Sequence, residues 1–332
     1  MKIAILGSTD SGKKSLFDLL TEGKESKIGK TVVGTANVSD QRIDVLSNHF
    51  HPKKISPGQL NFISLDLEPV FPFEELKTAE ELVFVIRTFP AYDGEDVDPL
   101  KQYEDFDTML RIKDMDLMER FVERNHKDPK RSHEVELVKK INVLIEDGKP
   151  CDPKEIENDI VSNLGLVSII PKLVVCNVSE NQIQDNEIIL EFKRIHPNLF
   201  VIPVCVSVEE ELIGFDQKSK LEMLSAYEIK DRAIDLFIQK SYEMLGLINF
   251  FTVGEDEVKA WTIRNGSNAY KASGKIHTDI QKGFIRAEIV HYNDFIACHC
   301  SFKEAKDKGL FHLEGKEYIV QDGDIMHVRF NV

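Results

Sequence analysis

Through the first two-thirds of the chain, apolar residues fall into short uninterrupted runs separated by stretches with helical spacing. Lys2–Leu6, Leu60–Leu65, Leu82–Arg87, Leu173–Cys176 and Phe200–Val206 read as strands. Leu173-Val174-Val175-Cys176 and Phe200-Val201-Ile202 show no polar alternation, the pattern of parallel strands covered on both faces. Strands alternating with helices predict an α/β fold on a doubly wound, mainly parallel sheet.

From Arg111 to about Gly165 the strand pattern stops. Leu117, Met118, Phe121 and Val122 make one apolar stripe, and beyond a polar turn at Asn125–Pro129 a second runs through Leu137, Val138, Ile141, Leu144 and Ile145. This spacing predicts an antiparallel helical hairpin over 112–165 inserted in the sheet. Asp152, Pro153 and Glu155 signpost a third helix that Gly165 ends. After Leu247 come short β-branched and aromatic segments: Phe250–Val253, Ala260–Ile263, Phe284–Val290, Glu317–Val320 and Ile325–Phe330. They predict a small mixed β domain over 247–332. The sheet domain then takes 1–111 and 166–246.

Charge narrows the function classes. The 332 residues carry 57 acidic against 42 basic side chains, a net −15, which argues against a general phosphate-backbone binder or a reader of DNA sequence. The tail holds 11 basic and 12 acidic residues, so nearly all the negative excess precedes it. No run of 18 apolar residues exists, so no membrane span is expected, and Ile3–Leu6 is too short a run for a secretory leader. Five scattered cysteines match a reducing compartment, so the chain reads as cytoplasmic. Cys298-His299-Cys300 is expected along a strand, because one residue between thiols does not suit a tetrahedral metal site.

Gly7-Ser8-Thr9-Asp10-Ser11-Gly12-Lys13-Lys14-Ser15 directly follows the first strand and precedes the helical stretch Leu16–Leu20. This is the context of a P-loop. Two glycines let backbone N–H groups curl around a phosphate at a helix N-terminus, and the lysine reaches the β/γ oxygens. The next position normally supplies a hydroxyl to Mg²⁺; here it is Lys14, with Ser15 turned about 100° away around the helix. Lys14 could take over part of the metal's charge role. The competing reading is a glycine-rich turn with no ligand.

Two further segments carry a resemblance. One is Leu173-Val174-Val175-Cys176-Asn177-Val178-Ser179-Glu180. The other is the tail series Ala260-Trp261-Thr262-Ile263, Ala272-Ser273-Gly274-Lys275-Ile276-His277-Thr278-Asp279-Ile280 and Lys282-Gly283-Phe284-Ile285-Arg286-Ala287-Glu288. With the P-loop, in this order and over essentially the whole chain, they resemble the YchF family of Obg-related P-loop NTPases, whose C-terminal module is a β-grasp TGS domain. The resemblance implies a purine nucleotide (ATP or GTP) held at its phosphates by Gly7, Asp10, Ser11, Gly12, Lys13, Lys14 and Ser15. The base would lie by Asn177, Val178 and Glu180 on one side and Cys205, Val206 and Ser207 on the other. Asn-x-x-Glu in place of the guanine signature Asn-Lys-x-Asp implies acceptance of ATP. The tail, with Lys271, Lys275, Lys282 and Arg286, would contact RNA or the ribosome. Trp261 is expected to pack in the tail's core, and His277 is expected to be a hydrogen-bonded structural residue.

The chain also departs from the family. Pro52-Lys53-Lys54, Pro57 and Phe62 match the run before its Asp-x-x-Gly switch, but Ser64 then stands where the metal-linked Asp belongs, with Asp66 two residues on. Glu68-Pro69 replaces the switch glycine, and the glycine-rich stretch beyond it is missing. Thr31 and Asp66 are the remaining candidate metal ligands, so Mg²⁺ is doubtful. Phosphoryl transfer depends on positioning and charge neutralisation, so hydrolysis is expected to be slow or absent. The alternative is an adaptor that needs no nucleotide and binds RNA or protein through its tail and helical insertion.

Overall fold

The structure, a computed structural model, describes residues 2–28, 31–67, 71–90, 97–149, 151, 159–185, 187–229 and 232–331. The strands are β1 (Lys2–Leu6), β2 (Glu25–Ile28), β3 (Thr31–Val38), β4 (Lys54–Ser56), β5 (Gly58–Ser64), β6 (Glu81–Arg87), β7 (Lys172–Asn177), β8 (Phe200–Val204), β9 (Leu247–Thr252), β10 (Glu257–Arg264), β11 (Phe284–Val290), β12 (His312–Glu314) and β13 (Ile325–Phe330). The helices are α1 (Lys13–Thr21), α2 (Gln41–Phe50), α3 (Phe73–Leu76), α4 (Pro99–Asn125), α5 (Ser132–Glu146), α6 (Asp159–Leu164), α7 (Glu187–Ile195), α8 (Val206–Glu211), α9 (Gln217–Ala226), α10 (Ala233–Met244), α11 (Ala269–Ile276), α12 (Thr278–Lys282), α13 (Tyr292–Ala297) and α14 (Phe302–Asp307). The chain divides into two compact units, one of 1–34 and 61–234, the other of 35–60 and 235–332.

The first unit is built on a sheet ordered β2-β3-β5-β1-β6-β7-β8. β5, β1, β6, β7 and β8 run parallel. Their apolar runs are buried for the reason given by their sequence: Ile3–Leu6, Leu82–Ile86 and Leu173–Cys176 are each fully covered, as parallel strands between helical layers must be. This is the doubly wound, mainly parallel α/β sheet that the apolar runs predict.

The inserted helices start earlier than the apolar stripe suggests. Asp98 caps α4 by accepting from Lys101 N, and Pro99 takes the first turn, where a missing N–H costs nothing. The first turns of α4 pack Tyr103, Phe106 and Leu110 on the sheet. Its later turns pair with α5 through Met118, Val138, Ile141 and Ile145. Asp114 is fully buried and accepts from the backbone N–H groups of Val167 (3.1 Å) and Ser168 (2.6 Å), which fastens α4 to the segment leading into β7. Asp152, Pro153 and Glu155 lie outside the described residues; α6 falls within the expected third helix, and Gly165 follows it.

The second unit holds a sheet ordered β12-β11-β13-β9-β10-β4. Its membership differs from the sequence reading: residues 35–60, assigned above to the nucleotide domain, belong here. β4 pairs parallel to β10, and Ile43 and Leu46 of α2 are buried with Phe251, Val258 and Phe295. Arg42 adds two ion pairs, to Asp40 and Asp322 at 2.8 and 2.7 Å. Glu317–Val320, expected as a strand, makes only an isolated bridge at Ile319, because Gly315–Glu317 turns and the Tyr318 hydroxyl is committed to the buried Asp324. Cys298-His299-Cys300 is likewise not a strand. It is the turn after α13, with His299 and Cys300 both left-handed (φ 49° and 53°) and both cysteines buried. His277 caps α12, its Nδ1 accepting from Asp279 N at 3.1 Å. Trp261 stacks on Phe250, and its ring is covered by Lys259 Nζ at 3.8 Å from the centroid.

Candidate functional site

The carboxyl ends of β1, β7 and β8 converge on one set of loops, the place where open α/β sheets bind ligands. β1 runs straight into Gly7, a turn closes from Ser11 N to Ser8 O at 3.2 Å, and Gly12 starts α1. Gly12 has φ +87° and, with no side chain, cannot cap the helix, so the first N–H groups of α1 have no partner within the helix and open on the loop. Neither glycine can be replaced freely. A Cβ on Gly7 would stand 2.5 Å from Ser11 Oγ and 2.8 Å from the Val85 carbonyl, and one on Gly12 would stand 2.3 Å from Asn177 Nδ2.

Asn177 ends β7 and is buried. Its Nδ2 donates to the Ser11 carbonyl at 3.0 Å, and its Oδ1 accepts from Val206 N at 3.4 Å. One amide therefore joins the phosphate loop, the end of β7 and the start of α8. Beyond it, Ser179 and Gln182 form a reciprocal cap around the turn that presents Glu180, and Cys205 Sγ lies 3.3 Å from Ser207 Oγ. Val178, expected beside the base, is instead buried in the sheet's core while its N–H donates to Val204. Alternation along the strand end turns its side chain inward.

A cavity of about 780 Å³ opens along Gly7–Ser15, with Asp66 at its side and Leu67, Phe71, Phe106 and Met109 as an apolar wall. Asp66 lies beyond the end of β5 rather than on its face. There it accepts from Lys13 Nζ at 2.5 Å, and Lys13 also donates to the Leu65 carbonyl at 2.7 Å. Thr31 opens β3, opposite Ile28 in the β2–β3 hairpin, and does not line the cavity. Phe106 and Met109 were missed as wall residues, although Asp98-Pro99 was a legible helix start that would have carried α4 through them.

The residues present fit a polyphosphate: two glycines where a Cβ has no room, uncapped N–H groups, and Lys13 with Lys14 beside them. They fit the usual Mg²⁺ set poorly. Lys14 is exposed where the hydroxyl belongs, Ser64 stands where the carboxylate belongs, and Asp66 faces Lys13. Among the described residues no helix is long and apolar enough to cross a membrane.

The C-terminal sheet matches the family model YchF-GTPase_C, described as a protein of unknown function (DUF933), over residues 247–331. A protein of Bacillus subtilis named ribosome-binding ATPase YchF is 33% identical, across 99% of this chain and 98% of its own length. Its namesake in Haemophilus influenzae is 30% identical across 100% and 99%. The solved Schizosaccharomyces pombe YchF GTPase superposes with a TM-score of 0.87 at 26% identity, covering 99% of this chain and 97% of that one. The match thus runs over essentially the whole length of the chain, and the chain belongs to the YchF family.

Proposed function

We propose that this chain is a purine nucleotide-binding regulatory protein that associates with the ribosome and hydrolyses its nucleotide slowly or not at all. The observation that carries the reading is the Asn177 bridge: a buried amide organises the phosphate loop and the expected base loops as one site, which suits a ligand with a phosphate at one end and a base at the other. The ribosomal part rests on relatives of matching length whose names describe ribosome-binding ATPases, and the TGS-like tail is the surface we assign to that contact.

Slow hydrolysis follows from the residues around the loop. Lys14 and Ser64 replace both side chains that ordinarily support Mg²⁺, and the wall facing the phosphate loop is Leu67, Phe71, Phe106 and Met109, none of which can orient a water. Lys13 and Lys14 neutralise phosphate charge in the metal's stead. Single-turnover assays with ATP and GTP test this: wild type is expected to show negligible turnover, and Lys14→Ser with Ser64→Asp is expected to raise it in Mg²⁺. Brisk wild-type turnover that the double variant leaves unchanged contradicts the reading. The adaptor alternative is favoured by one observation, the capture of Lys13 by Asp66 and the Leu65 carbonyl; it gains if nucleotide does not bind at high micromolar concentration.

A further inference from the structure

We propose that the second unit carries a binding site for an organic cation, a guanidinium or primary ammonium group. It lies in an open cavity of about 790 Å³ lined by Arg42, His291, Tyr292, Tyr318 and Asp322, with the exposed Asn293 beside them. The first turn of α2, the start of α13 and the turn before β13 supply these residues, and all of them belong to that unit.

One buried carboxylate fixes what the cavity offers. Asp324 is fully buried, with Oδ1 2.7 Å from His291 Nδ1. Its Oδ2 accepts from the Tyr318 hydroxyl and the Gln321 N–H, both at 2.9 Å. A carboxylate only accepts, so Nδ1 carries the His291 proton. Nε2, on the opposite edge of a side chain that is 44% exposed, is left as an acceptor. Tyr318 has spent its one proton on Asp324, so its oxygen also can only accept. Loss of water around that phenol, then the charges of Asp324 and Glu314, push its pKa up, and it keeps the proton at neutral pH.

Charge points the same way. Arg42 is already spent: Nε and Nη2 donate to Asp40, and Nη1 and Nη2 to Asp322. Asp40, Asp322 and Asp324 therefore stand against one guanidinium, and two negative charges are left over among these groups. Asp322 is half-exposed. Of its roughly four lone-pair sites, Arg42 takes two and the Asn249 N–H a third, so one remains. A guanidinium or ammonium brings donors alone, which suits this set of acceptors, and the Tyr292 ring offers it a π face. A phosphate or carboxylate would meet acceptors and charge of its own sign.

The test is titration of the full chain with N-acetylarginine amide, N-acetylcitrulline amide and spermidine, read by NMR shifts at His291 and Asn293. Salt of about 0.15 M screens the chain's general acidity, and about pH 8 is a value at which imidazole is ordinarily neutral. Citrulline keeps the shape of arginine without its charge. The arginine probe is expected to saturate and to bind at least tenfold more tightly than the citrulline probe. Asp322→Asn removes a carboxylate charge and is expected to weaken the arginine probe about tenfold. Asn293→Lys, at an exposed position, sets a competing ammonium beside the cavity and is expected to weaken it at least as much, with thermal melting as the folding control. Spermidine binding more tightly than the arginine probe assigns the site to a free polyamine; the reverse order assigns it to a basic side chain of a protein. Equal affinity for arginine and citrulline, no saturation by either cation, or a folded Asn293→Lys variant with unchanged affinity overturns the proposal.

Discussion

Lys13 Nζ donates to Asp66 Oδ1 at 2.5 Å and to the Leu65 carbonyl at 2.7 Å, so the lysine that would reach the β/γ oxygens is held by the loop after the neighbouring strand. A phosphate must compete for it. The Asp66 side chain is 85% exposed, and an ion pair that open to solvent is worth about 0–1 kcal/mol. Asp66→Asn is therefore expected to tighten nucleotide binding two- to fivefold (about 0.4–1 kcal/mol), measured by titration. Weakened binding would instead make Asp66 a ligand for the metal or its water.

The Asn177 bridge can be removed alone. Asn177→Ala leaves the Ser11 carbonyl and the Val206 N–H without their partner in a buried setting, at a cost of about 1–3 kcal/mol. It is expected to lower nucleotide affinity at least tenfold while the melting temperature falls by a few degrees. Gly12→Ala is expected to be worse, since its Cβ would stand 2.3 Å from Asn177 Nδ2 on a residue with φ +87°. Wild-type affinity in Asn177→Ala would show that the bridge does not organise the site.

Asp114 gives the insertion a pH signature. Burial pushes its pKa up, against the lowering effect of the Ser168 and Val167 N–H groups and of Lys172. The folded state therefore binds this proton more readily than the unfolded state, and the stability it contributes declines as pH rises from about 3.8 through the raised value, then levels. Asp114→Asn does not titrate, so the wild-type advantage in melting temperature is expected to shrink from pH 4 towards neutrality. An advantage that grows with pH contradicts this. Asp114→Ala orphans two buried N–H groups and is expected to cost about 2–5 kcal/mol by denaturant unfolding.

Because α2 and β4 complete the second sheet, a fragment of 247–332 alone loses the cover of Ile43 and Leu46, two buried side chains, worth about 1.5–3 kcal/mol each. It is expected to give poorly dispersed amide spectra. Native-like dispersion from the fragment would mean that α2 and β4 are accessory.

The parallel strands were legible because a continuous apolar run such as Leu173–Cys176 carries its own evidence of two-sided burial. The P-loop was legible because its glycines and lysine are local. The place of 35–60 was not, since β4 meets β10 some two hundred residues away and only tertiary pairing reveals it. The short tail helices also escaped: α12 has five residues and is set by its His277 cap rather than by any apolar period. Glu317–Val320 has strand composition, but it is governed by a turn and by Tyr318's bond to Asp324.

On the proposed function, phosphate charge at the nucleotide site is met chiefly by lysines. Titration of a fluorescent ATP analogue into the full chain, once in Mg²⁺ and once in EDTA, tests it most directly. The expected result is saturable binding in both, with affinities within tenfold. Absence of binding, or strengthening by Mg²⁺ of more than tenfold, would contradict it.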